Sequence, residues 1–303
     1  MQIINWRMNS HLSYNRPQQT IASTVTVTGF GFWSGADVTL EFRPAPAETG
    51  LVFLRSESGQ EVSIPVDVQY RQEVPRRTNL RANGGHVDMV EHVVAALAGL
   101  QIDNCFIWAS TSEMPGVDGS SKPFVDALLR AGIVTQESMR PALAIESTIR
   151  VVDNDTWIEV RPPKTAGTMS LSYQLDYGND GPISPQSFAL DVCPTSFQKE
   201  LATARTFVLQ SEADQMQTRG LGLRVTTADL LVFDEHGPVN NTLRFEDECV
   251  RHKTLDMIGD LALAGADLHG DFKAYRTGHR LNAELVRQIL FQHNLSNTFA
   301  ECA

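Results

Sequence analysis

The most regular pattern of hydrophobic and polar positions lies at residues 24–43, where small β-forming residues alternate with polar ones around a glycine-rich turn. Apolar side chains recur at every second position on both sides of that turn, as in strands with one buried face. These positions are Val25, Val27, Val38, Leu40 and Phe42. The segment therefore predicts a β-hairpin.

Further along the chain, longer segments with helical spacing alternate with short apolar runs that are typical of strands. Helices are expected at 90–100, 123–131, 196–203, 246–264 and 281–292. Strands are expected at 51–55, 62–66, 105–109, 143–152, 156–161, 169–175, 188–192, 230–233 and 271–275. Residues 206–228 have no clear period. This mixture of elements indicates an α+β protein.

The chain becomes polar around residues 134–141, and this change predicts a domain boundary. We expect a polar N-terminal extension at 1–19, a first α+β domain at 20–138 and a second at 139–303. Each half contains a charged residue followed by histidine, an Ala- and Leu-rich helix, a glycine and a short strand. This weak similarity indicates a duplicated α+β unit.

Composition excludes several classes of protein. Hydrophobic residues make up 42% and charged residues 20% of the chain, which excludes disorder. The net charge of −11 argues against general binding to nucleic acid or to anionic membranes. Four scattered cysteines without a CxxC pair favour a reducing compartment. The longest apolar run, 93–100, is far shorter than a membrane span, so we expect a cytoplasmic protein without one.

The segment RHKTLDMIGD, residues 251–260, carries the strongest pattern of chemically competent side chains. On a helix, His252, Asp256 and Asp260 are spaced four residues apart and project from one face. Imidazole and carboxylate in this arrangement suit a divalent cation such as Zn²⁺. The alternative is a solvated helix face on which Asp256 pairs with Lys253.

A catalytic zinc site usually has three protein ligands, so one more ligand must come from elsewhere in the chain. The pair Glu91–His92, at the start of an apolar helix, offers a ligand and a base. The alternative is an acidic residue favoured by the helix dipole, next to a packed histidine. His279, in TGHRLN before the last helix, is either a general acid or an exposed loop histidine.

Taken together, these segments resemble the LpxC family, the zinc-dependent UDP-3-O-acyl-N-acetylglucosamine deacetylases of lipid A biosynthesis. The resemblance runs from about residue 20 to residue 292. The matching stretches occur in family order: TGFGFWSGADVTLEFRPAPAETG, VEHVVAALAGLQIDN, EMPGVDGSSKPFV with LLRAGI, ARTF, LRFEDECVRHKTLDMIGDLALAG and TGHRLN. The combination of VEH, RHKxLDxxGD and GH is specific, whereas each piece alone is not.

The resemblance implies two similar domains, each a β-sheet layered with α-helices, whose helices face each other around the active site. It also implies a role for each matching residue. The ligands of Zn²⁺, or alternatively Fe²⁺, would be His92, His252 and Asp256. The catalytic residues would be Glu91 as general base, His279 as general acid, Asp260 as its support and Thr206 at the oxyanion. The substrate-binding residues would be Lys253 and Phe207.

The chain also departs from the family pattern. Typical members have His where Trp33 stands, a Cys-Thr pair at residues 77–78, Thr in place of Met89 and a different sequence at 224–229. These departures leave three interpretations open. The chain is a monomeric deacetylase of the acylated UDP-amino sugar, an enzyme with the same chemistry on another N-acetylated sugar conjugate, or a catalytically silent zinc-binding paralogue.

Overall fold

The computed structural model describes residues 12–57, 59–178 and 181–293. In chain order, its elements are β1 (Leu12–Ile21), β2 (Val25–Phe30), β3 (Asp37–Pro44), β4 (Leu51–Glu57), β5 (Gln60–Pro65), β6 (Arg71–Gln72), β7 (Asn79–Ala82), β8 (Gly85–Asp88), α1 (Glu91–Gly99), β9 (Cys105–Ala109), α2 (Lys122–Ala131), β10 (Ile133–Ala144), β11 (Ile149–Asp153), β12 (Thr156–Arg161), β13 (Met169–Leu175), β14 (Gln186–Asp191), α3 (Pro194–Ser196), β15 (Phe207–Leu209), α4 (Gln210–Thr218), β16 (Leu231–Asp234), β17 (Gly237–Pro238), α5 (Glu248–Leu261), β18 (Asp267–Tyr275) and α6 (His279–Gln292). Within these residues, no helix combines the length and the apolar composition that crossing a bilayer requires.

The predicted hairpin is present as β2 and β3, which begin a five-stranded sheet of order β2-β3-β9-β4-β5. Val27 pairs with Leu40 in the hairpin, and both side chains are buried. Neighbouring strands are antiparallel except β4 and β9, which run parallel. The alternating pattern thus marks the face that packs on the core.

The second sheet repeats the order of the first. Strands β11-β12-β18 continue into the pair β13-β14, and the parallel contact lies between β13 and β18. A small three-stranded sheet comes before α1 in the first half and before α5 in the second. The two halves share one connectivity, which agrees with the duplicated unit that the sequence indicates, and the α+β class is confirmed.

Two segments differ from the sequence-based expectations. Residues 196–203 form a π-helical turn, Phe197–Leu201, after the short α3 in place of an α-helix. Residues 206–228, for which the sequence predicts no element, contain β15 and α4. Helix α4 buries none of its residues, so its sequence carries no apolar period.

The N-terminal segment pairs with the rest of the fold. β1 runs antiparallel to β10, which lies beside β18 in the second sheet. The buried Gln18 donates to the carbonyl of Met139, and the side chain of Arg16 binds Asp103 and Asp267. These contacts explain how a polar sequence forms a strand. The extension at 1–19 and the division at 138–139, which falls within β10, stay predictions.

Helices α1 and α5 cross closely because Gly259 lies at their contact. A Cβ atom added at Gly259 would lie 2.3 Å from the backbone carbonyl oxygen of Glu91. Backbone atoms cannot move aside as a flexible side chain can. The glycine therefore sets how closely the two helices approach each other. The helices of the two halves face each other, as the family resemblance implies.

We expect Gly259→Ala to lower the free energy of unfolding by about 1–3 kcal/mol, because overpacking outweighs the better helix propensity of alanine. Urea unfolding of the metal-free protein measures this. Gly278→Ala is the matched control, since Gly278 has extended backbone and no heavy atom beyond its chain neighbours within 4 Å of the new Cβ. Equal urea midpoints for the two variants would show that the close crossing has no energetic consequence.

Candidate metal and catalytic site

The crossing of α1 and α5 brings two histidines and one aspartate together. Nε2 of His92 lies 3.4 Å, and Nε2 of His252 3.3 Å, from the same carboxylate oxygen, Oδ1 of Asp256. All three side chains are buried. His252 and Asp256 lie one turn apart on α5, as their spacing predicts, and His92 is the second residue of α1.

These separations suit a shared cation. Ligand atoms held about 2.0–2.2 Å from a tetrahedral ion are about 3.3–3.6 Å apart. Oδ1 of Asp256 is buried and accepts no hydrogen bond from the described residues. A buried anionic oxygen without a partner is costly, and a divalent cation between it and two imidazole nitrogens removes that cost. The donor set therefore fits a metal ion.

The hydrogen bond and the burial of His252 suit its Nε2 to metal binding. Its Nδ1 lies 3.1 Å from the carbonyl oxygen of Ala204, which accepts the ring N–H and leaves the lone pair on Nε2. Burial lowers the pKa of His252 to about 4, against the opposing effect of Asp256. The imidazole is consequently neutral near pH 7, as metal binding requires.

The second oxygen of Asp256 is held by a lysine. Nζ of Lys253 donates to Oδ2 of Asp256 at 2.8 Å. Burial favours a higher pKa for Asp256, but His252 and Lys253 outweigh burial and hold that pKa well below its usual range. Burial alone would lower the pKa of Lys253, but the attraction of the Asp256 carboxylate is stronger and raises that pKa. Asp256 is therefore ionised and oriented.

Glu91 precedes His92 on α1 and is buried beside the same group. Its Oε2 accepts the backbone N–H of Thr78 at 2.9 Å, and its Oε1 lies 3.9 Å from Nε2 of His279. Burial raises the pKa of Glu91, and the neighbouring histidines only partly oppose it. A more basic carboxylate is a better proton acceptor, so the position suits a general base.

His279, the first residue of α6, forms a buried pair with Asp260 of α5. Its Nδ1 lies 2.8 Å from Oδ2 of Asp260. Asp260 also accepts hydrogen bonds from the hydroxyl of Thr78 at 2.6 Å and from the amide of Asn282 at 2.9 Å. Burial acts to lower the pKa of His279, but Asp260 and Glu91 outweigh it and raise the pKa to about 9. His279 is therefore an imidazolium near neutral pH.

The site opens into a cavity of about 790 Å³. All of the predicted site residues except Asp260 line it, Thr206 and Phe207 among them. The ring of Phe207 stands edge-on to that of His252, with 6.2 Å between the ring centres. Backbone bonds to Gly119 and Leu231 fix Thr206. Apolar residues from the segment 206–232 line one part of the cavity: Val208, Ala213, Met216, Leu221, Val225, Leu230 and Val232.

Three departures from the family pattern meet at one turn on the cavity rim. The guanidinium of Arg77 lies 4.5 Å from the ring centre of Trp33, which lines the cavity. The buried carboxylate of Glu113 accepts the N–H of Trp33 at 2.7 Å. Arg224 binds the carbonyl of Gly35 in the same turn and the carboxylate of Asp37, the first residue of β3. Trp33, Arg77 and Arg224 thus all belong to or contact the segment between β2 and β3, and we call these three residues the Trp33 rim.

The structure brings together every residue that the sequence selects: Glu91, His92, Thr206, Phe207, Lys253, His252, Asp256, Asp260 and His279. The chemical role of each of them stays a prediction. Thr78 and Asn282, which hold Asp260, lie at a position compared with the family and in the stretch TGHRLN, but the sequence predicts no role for either of them. No local pattern reveals the bond between Thr78 and Asp260, because it joins residues 182 positions apart.

The fold and the site define a class of protein: a duplicated α+β fold with a buried His-His-Asp group that suits a divalent cation. A sequence model of the family described as "LpxC: UDP-3-O-acyl N-acetylglycosamine deacetylase" matches residues 18–291. The chain belongs to this LpxC family, which confirms the resemblance found in its sequence.

Similar proteins agree with that assignment. A UDP-3-O-acyl-N-acetylglucosamine deacetylase of Psychrobacter arcticus is 40% identical over 91% of this chain and 86% of its own length. Proteins of the same name from Mannheimia succiniciproducens and Shewanella oneidensis are each 38% identical, over 90% and 91% of this chain respectively and 90% of their own lengths. The similarity therefore extends over nearly the whole chain.

In the metal-free protein, we expect the His279 ring to titrate with a pKa near 9 and to contribute stability below its unfolded value of 6.5 that is lost as the pH rises through 9. Asp260→Asn should move this titration to lower pH, because burial then dominates. NMR of the histidine ring protons measures both. Asp118→Asn, which removes a carboxylate paired with Arg244, is the control. If Asp260→Asn leaves the pKa of His279 unchanged, the pairing of His279 with Asp260 is refuted.

Proposed function

We propose that this chain hydrolyses the acetamide of UDP-3-O-acyl-N-acetylglucosamine and releases acetate, a step of lipid A biosynthesis. The observation that carries the proposal is the buried group of His92, His252 and Asp256, with a basic carboxylate and an imidazolium beside it. Amide hydrolysis needs an activated water and a proton for the leaving amine. The family membership supports the substrate.

The cation that we propose for the group is Zn²⁺, with Fe²⁺ as the alternative, since two imidazoles and one carboxylate suit both ions. His92, His252 and Asp256 would hold it. When bound, such an ion acts as a Lewis acid that polarises the amide carbonyl and makes water more acidic. Lys253 keeps Asp256 ionised for this purpose.

Glu91 is the proposed general base. Its Oε2 is held by the N–H of Thr78, so Oε1 is the oxygen that accepts the proton of the attacking water. The raised pKa of Glu91 increases its affinity for that proton. Its Oε1 lies 3.9 Å from Nε2 of His279, and Glu91 lines the same cavity as His92, His252 and Asp256, which supports this role.

His279 is the proposed general acid. Asp260 and Glu91 keep its ring protonated near neutral pH, so it can donate a proton to the leaving amine from Nε2. Its Nδ1 faces Asp260, which fixes the orientation of the ring. Nε2 of His279 lies 3.9 Å from Oε1 of Glu91, so the proposed acid and the proposed base are close together in the site.

The remaining predicted residues are assigned to substrate binding. Thr206 would stabilise the developing oxyanion, and Phe207 would contact the sugar ring. The ammonium of Lys253 would attract the diphosphate, in spite of the negative net charge of the chain. The apolar part of the cavity, with Met216 and Leu230 among its lining residues, suits the acyl chain.

We further propose that the protein works as a monomer in the cytoplasm. The three cysteines within the described ranges, Cys105, Cys193 and Cys249, are unpaired thiols, which suits a reducing compartment. A soluble UDP-linked sugar is the partner that the proposed reaction requires.

The second candidate is the same chemistry on a different N-acetylated sugar conjugate. The Trp33 rim favours it, because the substitutions that form the rim line or support the cavity and leave the metal group intact. Substitutions in the cavity wall that leave the catalytic residues unchanged affect the choice of substrate more than the type of reaction.

Joint measurement of bound metal and acetate release tests the chemistry. His252→Ala should lose both, since it removes a metal ligand. Glu91→Gln should keep about one metal per chain and release acetate about 10²–10⁴-fold more slowly, because only the base is lost. His236→Ala, at an exposed histidine, should leave both quantities unchanged. Acetate release by His252→Ala at the wild-type rate would contradict the proposal, and absence of release by the wild type would favour a silent zinc-binding protein.

Comparison of substrates separates the two candidates. If the acylated UDP-sugar is the substrate, its kcat/KM should exceed that of UDP-N-acetylglucosamine by at least about 10²-fold, since the apolar cavity binds the acyl chain. The double variant Trp33→His with Arg77→Cys, which restores the family residues, should then gain little. A large gain by this variant, together with poor turnover by the wild type, would favour the other sugar conjugate.

A further inference from the structure

Thr78, which lies just before β7, bonds both to the proposed base and to the residue that holds the proposed acid. Its backbone N–H donates to Oε2 of Glu91 at 2.9 Å, and its hydroxyl donates to Oδ1 of Asp260 at 2.6 Å. Asp260 holds His279 through its other oxygen. One residue therefore joins the general base to the support of the general acid.

This connection matters because the acid and the base come from different parts of the chain. Glu91 begins α1 in the first half, whereas Asp260 and His279 lie on α5 and α6 in the second. Nε2 of His279 and Oε1 of Glu91 are 3.9 Å apart, which is too long for a direct hydrogen bond. Their relative position thus depends on the groups that hold each of them.

Thr78 is buried and hydrogen-bonded at its hydroxyl, its N–H and its carbonyl. Thr78 is 1% exposed and Asp260 is fully buried, so water does not substitute for the hydroxyl. A hydrogen bond to a buried carboxylate is among the stronger ones in proteins. The carbonyl of Thr78 also accepts the N–H of Val90 at 3.3 Å, which ties the same peptide to the residue before α1.

We propose that Thr78 is a positioning residue that sets the spacing between the base Glu91 and the acid His279, acting through Asp260. This inference rests on the proposed amide hydrolysis. Loss of the hydroxyl leaves Oδ1 of Asp260 without that partner and frees Asp260 and His279 to shift against Glu91. A displacement of this kind weakens proton transfer in the transition state more than it weakens substrate binding.

The side chain and the backbone of Thr78 can be tested separately. Thr78→Val keeps the shape of the side chain and the N–H that binds Glu91, and it removes only the hydroxyl bond to Asp260. Thr78→Ser restores a hydroxyl without the methyl group. Thr78→Ala repeats the deletion without an added methyl, should the valine variant fail to fold. Thr20→Val is the matched control, because Thr20 is a buried threonine of β1 whose hydroxyl accepts the N–H of Ala45.

Steady-state acetate release from the acylated UDP-sugar, with bound metal measured in parallel, gives the result. We expect kcat of Thr78→Val to fall about 10–100-fold with KM within about twofold of wild type, and Thr78→Ser to recover kcat to within about threefold. Metal content should remain at the wild-type value, and Thr20→Val should keep the wild-type kcat.

Several outcomes would overturn the inference. A kcat for Thr78→Val within twofold of wild type, a change confined to KM, or a failure of serine to restore kcat in folded, metal-loaded protein would each do so. Absence of acetate release by the wild-type chain would overturn the proposed function together with this inference. Release by the wild type that Thr78→Val leaves unchanged would overturn the role of Thr78 alone.

Discussion

The close contact of α1 with α5 is the constraint on which the rest of the site depends. Gly259 lets α5 approach the carbonyl of Glu91, and this approach places His92 against the carboxylate of Asp256. Two helices from two similar halves thereby supply one group of candidate ligand atoms. A wider crossing would leave two incomplete sites, each with too few ligands to hold a catalytic ion.

The site concentrates ionisable groups in a region with little access to water, and each has an identified partner or a stated use. Lys253 neutralises Asp256, and Asp260 pairs with His279. Such groups are stable only as sets, because removal of one partner leaves a buried charge uncompensated. Burial raises the pKa of Glu91, whereas for His279 the carboxylates of Asp260 and Glu91 outweigh burial and raise the pKa. Glu91 therefore gains affinity for a proton, and His279 stays protonated near neutral pH.

Sequence reasoning finds the elements in which buried apolar side chains recur with the period of a strand or a helix. It finds the hairpin β2–β3, helices α1 and α5, and the two candidate ligands on α5, since positions 252 and 256 share a face at helical spacing. It misses β1, whose buried polar side chains are satisfied by distant partners, and α4, which buries no face. The hydroxyl of Thr78 is missed for a similar reason, because a contact across 182 residues leaves no local pattern.

Anomalous diffraction at the zinc absorption edge, from crystals of the zinc-loaded protein, tests whether helices α1 and α5 together bind one ion. We expect one strong peak within about 2.0–2.2 Å of Nε2 of His92, Nε2 of His252 and Oδ1 of Asp256. A peak at other ligands, or a structure in which these three atoms remain too far apart to share an ion, would contradict it.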